Sequence, residues 1–163
     1  MNFFLKSLLA AFLVLFLSSC ASKNKEFFSQ SVLVFINTKD LKINDAGFLK
    51  QGKKALNLEI YKFGRPFFEL IINDKICLNA ACYQKKDFNK KFLKNAYYDE
   101  LLEDILKAKP LYNGKNLENQ ACGFIQKINS TSYNITYELC NDKVSFFDKL
   151  SGTKIILKKI NAN

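Results

Sequence analysis

The stretch "LEIYKFGRPFFELIINDK", residues 58–75, has the pattern of two β-strands joined by a tight turn. Residues 55–63 alternate between apolar and polar, as in a half-buried strand, and residues 66–72 form the second strand. The turn Phe63-Gly64-Arg65-Pro66 carries a phenylalanine at its tip, where polar residues are usual. Two hypotheses stay open: the ring packs back onto the sheet as core, or it protrudes to contact something outside the chain.

Strand-like segments lie on both sides of this hairpin. Residues 31–39 and 40–50 have the β-branched and aromatic content of strands. Near the C-terminus the strand pattern returns in four further segments. These are 123–128, 133–139, 143–150 and 153–160.

Between these groups the apolar residues follow a helical period. Two sets are spaced four residues apart: Phe88, Phe92 and Ala96, then Tyr97, Leu101 and Ile105. Asn95 is a point at which two helices can separate, and Pro110 ends the second. Helices segregated from strands predict an α+β fold, in which one or two helices cover a curved antiparallel sheet.

The first twenty residues, "MNFFLKSLLAAFLVLFLSSC", resemble a bacterial lipoprotein signal. A short segment with Lys6 precedes an apolar run, which ends in small residues and Cys20. This predicts a signal peptide at residues 1–19, an acylated Cys20, a tether over 20–30 and a single domain over 31–163. Ala21 favours delivery to the outer membrane, by resemblance to other lipoproteins. An ordinary signal peptide with a chance cysteine is the alternative.

Four cysteines follow Cys20, and an even number in an exported chain predicts disulfides. A hairpin centred on Asn79-Ala80 places Leu78 opposite Ala81 and, on the next pair, Cys77 opposite Cys82. That next pair is not hydrogen-bonded, and side chains approach most closely there. Cys122 and Cys140 are equidistant from Thr131, so a symmetric hairpin places them opposite one another. A structural zinc site is the rival interpretation.

The composition narrows the function class. The chain has 163 residues, 48% of them hydrophobic, which suffices for one domain with a core. It has no histidine, and its formal charge of +10 comes almost entirely from lysine, with Arg65 as the single arginine. These features weigh against a catalyst and against specific nucleic-acid recognition. No phosphate-binding loop or nucleophile–base constellation is present, so the sequence predicts neither enzyme activity nor a cofactor.

The order of strands, helices and strands resembles the LolB outer-membrane lipoprotein receptors and, more distantly, the periplasmic carrier LolA. Lys62-Phe63-Gly64 stands where that family has a Pro-Leu-Gly turn. "YYDELLEDILKAKPL" (97–111) resembles its helical region with a downstream Pro-Leu, and "YNITYEL" (133–139) and "LSGTKIILKKI" (150–160) resemble its last strands. Lys62 in place of proline and the four cysteines depart from the family pattern.

The resemblance implies an incomplete antiparallel barrel closed by helices, with an apolar cavity for lipoprotein acyl chains. It implies a protein on the periplasmic face of the outer membrane that accepts acylated lipoproteins from a LolA-like carrier and inserts them into outer-membrane phospholipid. Phe63, with Gly64 and Arg65, matches the loop that contacts acyl chains and membrane. The alternative is a disulfide-stapled envelope lipoprotein that acts as a binding, inhibitor or structural module. A continuous apolar cavity favours the first function. A filled core with one charged exposed loop favours a binding or inhibitor module, and a large flat apolar patch favours a structural role.

Overall fold

The computed structural model describes residues 28–160. Within them, eleven strands form one open antiparallel sheet, and two short helices follow the sixth strand. The predicted α+β fold with an antiparallel sheet is confirmed at this level. The strands are β1 (Phe28–Asn37), β2 (Lys42–Gln51), β3 (Leu56–Lys62), β4 (Arg65–Ile72), β5 (Ile76–Leu78), β6 (Ala81–Tyr83), β7 (Leu117–Gln120), β8 (Gly123–Asn129), β9 (Asn134–Cys140), β10 (Lys143–Asp148) and β11 (Thr153–Lys159).

The sheet order is β6-β5-β4-β3-β2-β1-β11-β10-β9-β8-β7. Every neighbouring pair is consecutive in the chain except β1 and β11, which join the first and last strands in the middle of the sheet. The two edge strands, β6 and β7, are those that flank the helical segment in the chain. The helices therefore connect one edge of the sheet to the other.

Helices α1 (Lys85–Phe92) and α2 (Leu101–Leu106) are separated by residues 93–100, which confirms the predicted break near Asn95. Their apolar residues and those of the connecting segment are buried, except that Ala96 is exposed and Tyr98 is half-buried. Together they form a helical layer against one face of the sheet. Its buried apolar residues are Phe88, Phe92, Leu93, Tyr97, Leu101, Leu102, Ile105 and Leu106.

The core lies on the face that alternation predicted. In β3, Leu56, Leu58 and Ile60 are buried, and the alternate positions face outward. The same alternation buries Val32, Val34 and Ile36 in β1 and Ile155 and Leu157 in β11. These inward side chains and the helical layer form one continuous hydrophobic cluster.

The strands differ from the sequence prediction in two respects. β1 begins at Phe28, so residues 28–30 belong to the sheet, although the sequence prediction placed them in the tether. β7 was not predicted, because Leu117–Gln120 is mostly polar and shows no apolar alternation. As an edge strand it is paired with β8 alone, which explains why it needs no inward apolar set.

Both predicted disulfides are present. Cys77 lies directly opposite Cys82, with the Cα atoms 3.9 Å apart, as a close non-hydrogen-bonded pair requires. Cys122 is bonded to Cys140, but the predicted direct pairing is wrong, because Cys140 pairs with Gly123 instead. The β8–β9 register is thus one residue away from the symmetric hairpin, and the backbone N–H of Asn141 donates to the carbonyl oxygen of Cys122 at 2.7 Å.

Candidate functional site

The β3–β4 turn consists of Phe63 and Gly64 between the paired residues Lys62 and Arg65. Both turn residues have left-handed backbone angles, with φ of 52° at Phe63 and 74° at Gly64. This is the geometry of a two-residue type I′ hairpin, in which Asn and Gly are the usual residues. Glycine at position 64 meets that requirement, whereas a bulky side chain with positive φ at position 63 is unfavourable.

The ring of Phe63 is fully exposed, at 104% of its reference area. It therefore does not pack back onto the sheet, and the hypothesis that Phe63 is a core residue is wrong. The ring gives the fold no burial energy while it occupies a backbone position that costs on the order of 1 kcal/mol or more. Strained residues of this kind concentrate at binding and switch sites. The turn Phe63-Gly64 with its flanking residues Lys62 and Arg65, called the tip below, is therefore the candidate functional site.

Lys62 and Arg65 flank the ring, and a second aromatic residue, Phe67, lies beside them. Phe67 is the extra residue of a β-bulge, since Ile60 pairs with Phe68 but Tyr61 pairs with Pro66. Phe67 is 55% exposed, and the Lys62 ammonium lies 4.4 Å from its ring centroid. The tip together with Phe67 thus presents two exposed aromatic rings and two cations. The Lys62 ammonium also lies 3.7 Å from a carboxylate oxygen of Asp45.

A polar cluster around Glu59 supports the tip from the outer face of the sheet. The buried Glu59 carboxylate accepts hydrogen bonds from the Lys50 ammonium at 2.6 Å, the Tyr61 hydroxyl at 2.6 Å and the Asn57 amide at 2.7 Å. These contacts join β2 to β3 directly beneath the turn. Alternation predicted only that Asn57, Glu59 and Tyr61 face outward, and gave no sign that Glu59 would be buried.

The charges in this cluster stabilise one another. Burial alone would raise the pKa of Glu59, but its hydrogen bonds from Lys50, Tyr61 and Asn57 and the positive charge of Lys50 outweigh burial and lower it. The hydrogen bond to Glu59 raises the pKa of Lys50, and it also raises the pKa of Tyr61. All three groups therefore keep their ordinary charge states near neutral pH and hold the hairpin in place.

The helical layer fills the space above the inward face of the sheet. A cleft of ≈ 60 Å³ lies where the end of α2 meets the strands, and it is lined in part by Leu49, Leu106, Leu139, Val144 and Leu157. Ligand pockets usually measure about 300–1,000 Å³, so this cleft is too small for an acyl chain. A larger cleft of ≈ 440 Å³ at the β9–β10 turn is lined mainly by polar and charged residues.

Polar contacts fasten the helical layer at the tip end of the sheet, the end that carries the β3–β4 turn. The Thr153 hydroxyl donates to the Leu93 carbonyl at 2.7 Å, and the Tyr97 hydroxyl donates to Asp148 at 2.5 Å. Lys94 also forms an ion pair with Asp40 in the β1–β2 loop. The arrangement of the helices is therefore specified by polar as well as apolar contacts.

The carboxylates at the start of α2 differ in their surroundings. A helical period alone predicts that Glu100, Glu103 and Asp104 form a solvated face rather than an acid pair, and Glu100 is exposed. Glu103 instead binds Lys107 at 2.6 Å and Lys85 at 3.4 Å. Asp104 accepts a hydrogen bond from the Tyr98 hydroxyl at 2.9 Å, and burial, the largest influence, raises its pKa.

The remaining predicted site residues are located as follows. The Cys77–Cys82 disulfide joins β5 to β6, next to the β3–β4 hairpin in sheet order, and the Cys122–Cys140 disulfide lies at the β8–β9 pair in the other half of the sheet. Cys20 lies outside the described residues. Nowhere in residues 28–160 do three or more His, Cys, Asp or Glu side chains come together as metal ligands would. No helix in that range is long and apolar enough to cross a bilayer.

Comparison of the chain with known protein families and with curated proteins yields no match.

Proposed function

We propose that this protein is an outer-membrane-anchored lipoprotein that accepts acylated lipoproteins from a LolA-like periplasmic carrier and helps to insert them into the membrane. The observation that carries the proposal is the fully exposed Phe63 ring at the end of the β3–β4 hairpin. Moving a ring of this size from water into an apolar phase is favourable by roughly 2 kcal/mol. That energy is unused within the folded chain and is available for contact with lipid.

The surroundings of the ring support a lipid partner. Lys62 and Arg65 stand on either side of the turn, and a basic residue near an anionic lipid surface contributes about 1 kcal/mol. Glu59, the nearest buried carboxylate, is already bound by Lys50, Tyr61 and Asn57. The hairpin can therefore approach anionic headgroups without bringing an uncompensated negative charge from this cluster.

Acceptance of an acyl chain requires the helical layer to move. In the described arrangement its apolar residues occupy the inward face of the sheet, in the same cluster as the strand residues. A displaced layer would leave an apolar surface on the sheet, onto which each methylene of a chain transfers with about 0.8 kcal/mol. No covalent chemistry is needed, so the proposal includes neither a catalytic residue nor a cofactor.

The test is a transfer assay with a carrier loaded with a fluorescent triacylated lipoprotein and with acceptor vesicles of outer-membrane phospholipid. Phe63→Glu should slow delivery into the vesicles, because a charge is expensive to place in hydrocarbon. Phe63→Leu is the matched control and should deliver at the wild-type rate. Equal delivery by Phe63→Glu and wild type, at equal amounts of folded protein, would contradict the proposal.

The filled interior favours a second candidate, a disulfide-stapled binding or inhibitor module. The two functions differ in where the acyl chain goes. A lipoprotein with a photoreactive group on its acyl chain should label inward residues such as Leu102 or Ile155 if the protein is a transfer receptor. Absence of acyl labelling, together with a stable complex with a periplasmic protein, would favour the binding module.

A further inference from the structure

Four neighbouring strands in the middle of the sheet, β2, β1, β11 and β10, have outward residues that are rich in lysine. Their identity follows from alternation, because inward residues near the strand centres, such as Val32, Val34, Val144 and Ile155, are buried. They include five lysines and no carboxylate, and one of the five, Lys50, is paired with Glu59 of the adjoining strand β3. This central outer face consists of Lys42, Asn44, Ala46, Phe48 and Lys50; Ser29, Ser31, Leu33, Phe35 and Asn37; Lys154, Ile156 and Lys158; and Lys143, Ser145 and Phe147.

Large apolar side chains are exposed among these lysines. Leu33 is 47% exposed, Phe48 is 42% exposed and Phe147 is 41% exposed. The Lys154 ammonium lies 5.7 Å from the ring centroid of Phe35. Apolar patches of this kind on a folded domain mark interaction surfaces, and basic residues around them are complementary to an anionic lipid headgroup region.

The positions of the start of β1 and of the tip indicate how the membrane would come to this face. Phe28 begins β1 at the end of the sheet opposite Phe63. Register places Val32 level with Ile60, through Gly47. Phe28 and the tip are therefore seven residues apart along the strands, or about 24 Å. Eight residue steps from Cys20 to Phe28 span at most about 27 Å.

An acylated Cys20 and an inserted Phe63 therefore constrain the orientation of the sheet. With the strands perpendicular to the bilayer, both fit only when residues 20–28 are almost fully extended. Any shorter path tilts the strands toward the membrane plane. When the tilt is toward the outer face, that face, which contains β1 and neighbours the β3–β4 hairpin, approaches the lipid.

We propose that the central outer face is a docking surface for anionic phospholipid, on which the sheet lies while Cys20 and Phe63 occupy the same bilayer. This inference rests on the proposed function, since it takes the anchor and the inserted tip from it. It adds that the protein contacts membrane along strands as well as at the tip. It also assigns the lysines of β11, on the far side of β1 from the hairpin, to headgroup binding.

The experiment uses the full acylated chain in vesicles, with tryptophan as a depth reporter, because the sequence contains no tryptophan. Phe48→Trp reports on the central outer face, Phe63→Trp on the tip, and Asn119→Trp on the exposed edge strand β7 as a control. The vesicles contain phosphatidylcholine and phosphatidylglycerol with brominated acyl chains, which quench nearby tryptophan. We expect several-fold stronger quenching for Phe48→Trp than for Asn119→Trp. Leu33→Trp serves the same purpose should Phe48→Trp not fold.

Lysine replacement tests the electrostatic part. In the Phe48→Trp background, we expect the double substitution Lys154→Gln and Lys158→Gln to lower the ratio of docked to undocked protein by about 25-fold. Each lysine accounts for roughly a five-fold change. The pair Lys86→Gln and Lys90→Gln, exposed on α1, is the matched control and should leave the ratio unchanged. Equal docking on phosphatidylcholine alone, or no effect of the β11 lysines, would overturn headgroup binding by this face.

The tip reporter separates the two proposals. Quenching of Phe63→Trp without quenching of Phe48→Trp would overturn the docking surface and leave the proposed function intact. Absence of quenching at both positions would overturn both. An emission shift of Phe48→Trp on addition of single-stranded DNA, without any response to vesicles, would assign the face to a nucleic acid and overturn the lipid proposal.

Discussion

The hydroxyl of Tyr97 donates a hydrogen bond of 2.5 Å to Asp148, which joins the segment between the two helices to the end of β10. Asp148 is fully buried, and its other carboxylate oxygen accepts the backbone N–H groups of Asn134 at 2.8 Å and Leu150 at 3.1 Å. The Tyr97 hydroxyl also lies 3.1 Å from the hydroxyl of Ser151. One carboxylate thus connects the helical layer with the β8–β9 and β10–β11 loops.

Tyr97→Phe removes one donor from this carboxylate and leaves a buried anionic oxygen with one hydrogen bond fewer. We expect the free energy of unfolding to fall by about 1.5–3 kcal/mol, the range for hydrogen bonds to charged groups. Urea unfolding followed by circular dichroism measures the change. Tyr83→Phe is the matched control, because it loses only an exposed hydrogen bond from Lys91 and should change stability by less than about 0.5 kcal/mol.

The same pair predicts a dependence of stability on pH. Burial raises the pKa of Asp148, but the bonds from Tyr97 and the two backbone N–H groups outweigh it, so the pKa lies below its ordinary value of 3.8. The contribution of Asp148 to stability is therefore present above about pH 4 and is lost as pH falls through the folded-state pKa. Burial, followed by the bond to Asp148, raises the pKa of Tyr97 above its ordinary value of 10.0. Its contribution is present below about pH 10 and declines as pH rises beyond that value.

The measurement is the difference in unfolding free energy between wild type and Tyr97→Phe across pH. Other buried tyrosines also titrate in alkali, and the subtraction removes their shared effect. We expect the difference to be largest between about pH 5 and pH 9 and to narrow on both sides. A difference that stays constant through acid and alkali would show that the pair does not act through these two protonation states.

The sequence could predict those parts of the fold that depend on neighbouring residues. Alternation predicted the inward face of β3, and the two-residue centre between Cys77 and Cys82 predicted their direct pairing. The register of β8 and β9 depends instead on how four loop residues, 130–133, close the turn. Symmetry about Thr131 therefore misplaced Cys122 by one residue.

The parts of the site that were missed depend on contacts between distant segments. The burial of Glu59 requires Lys50 from the neighbouring strand, and the bond between Tyr97 and Asp148 joins residues 51 apart in the chain. Neither partner shows a local signal. The tip was visible in the sequence because its unusual feature, an aromatic residue beside glycine in a short turn, is itself local.

Gly123 pairs with Cys140 beside the Cys122–Cys140 disulfide, where β8 approaches the backbone of β9 closely. Its φ is 152°, and an added Cβ would lie 2.1 Å from the carbonyl oxygen of Leu139. Gly123→Ala should therefore lower the unfolding free energy by about 2–4 kcal/mol, because backbone has to shift in a paired strand. Gly152→Ala, also at positive φ but in open space, is the control and should cost only about 1 kcal/mol. Equal losses in the two variants would show that the close approach is relieved at no cost.

The proposed membrane anchor is Cys20, which lies outside the described residues. Cys20→Ala should move the protein from membrane fractions to the periplasmic extract and abolish fatty-acid labelling, because several acyl chains are needed for stable attachment. Cys20→Ser is a second variant with the same expected result, since a hydroxyl does not replace the thiol that the lipoprotein signal requires. Fatty-acid labelling that persists in either variant would disprove the anchor.

The exposure and backbone angle of Phe63 together predict that stability and function respond in opposite directions to one substitution. Asn accepts positive φ more readily than Phe, and Phe63 buries none of its ring. Phe63→Asn should therefore raise the free energy of unfolding by up to about 1 kcal/mol. The same change removes the apolar tip, so it should slow delivery of lipoproteins into vesicles and weaken membrane contact.

The β5–β6 turn supplies the matched control for this last prediction. Asn79 and Ala80 have the same left-handed angles, with φ of 46° and 72°, in another exposed two-residue hairpin turn. Ala80→Gly relieves strain there and should stabilise the fold by a similar amount without any effect on delivery. Both variants are compared by thermal unfolding and by the transfer assay. A Phe63→Asn protein that still delivers lipoproteins at the wild-type rate would remove Phe63 as the proposed point of membrane contact. A destabilised Phe63→Asn protein would show that the ring supports the fold.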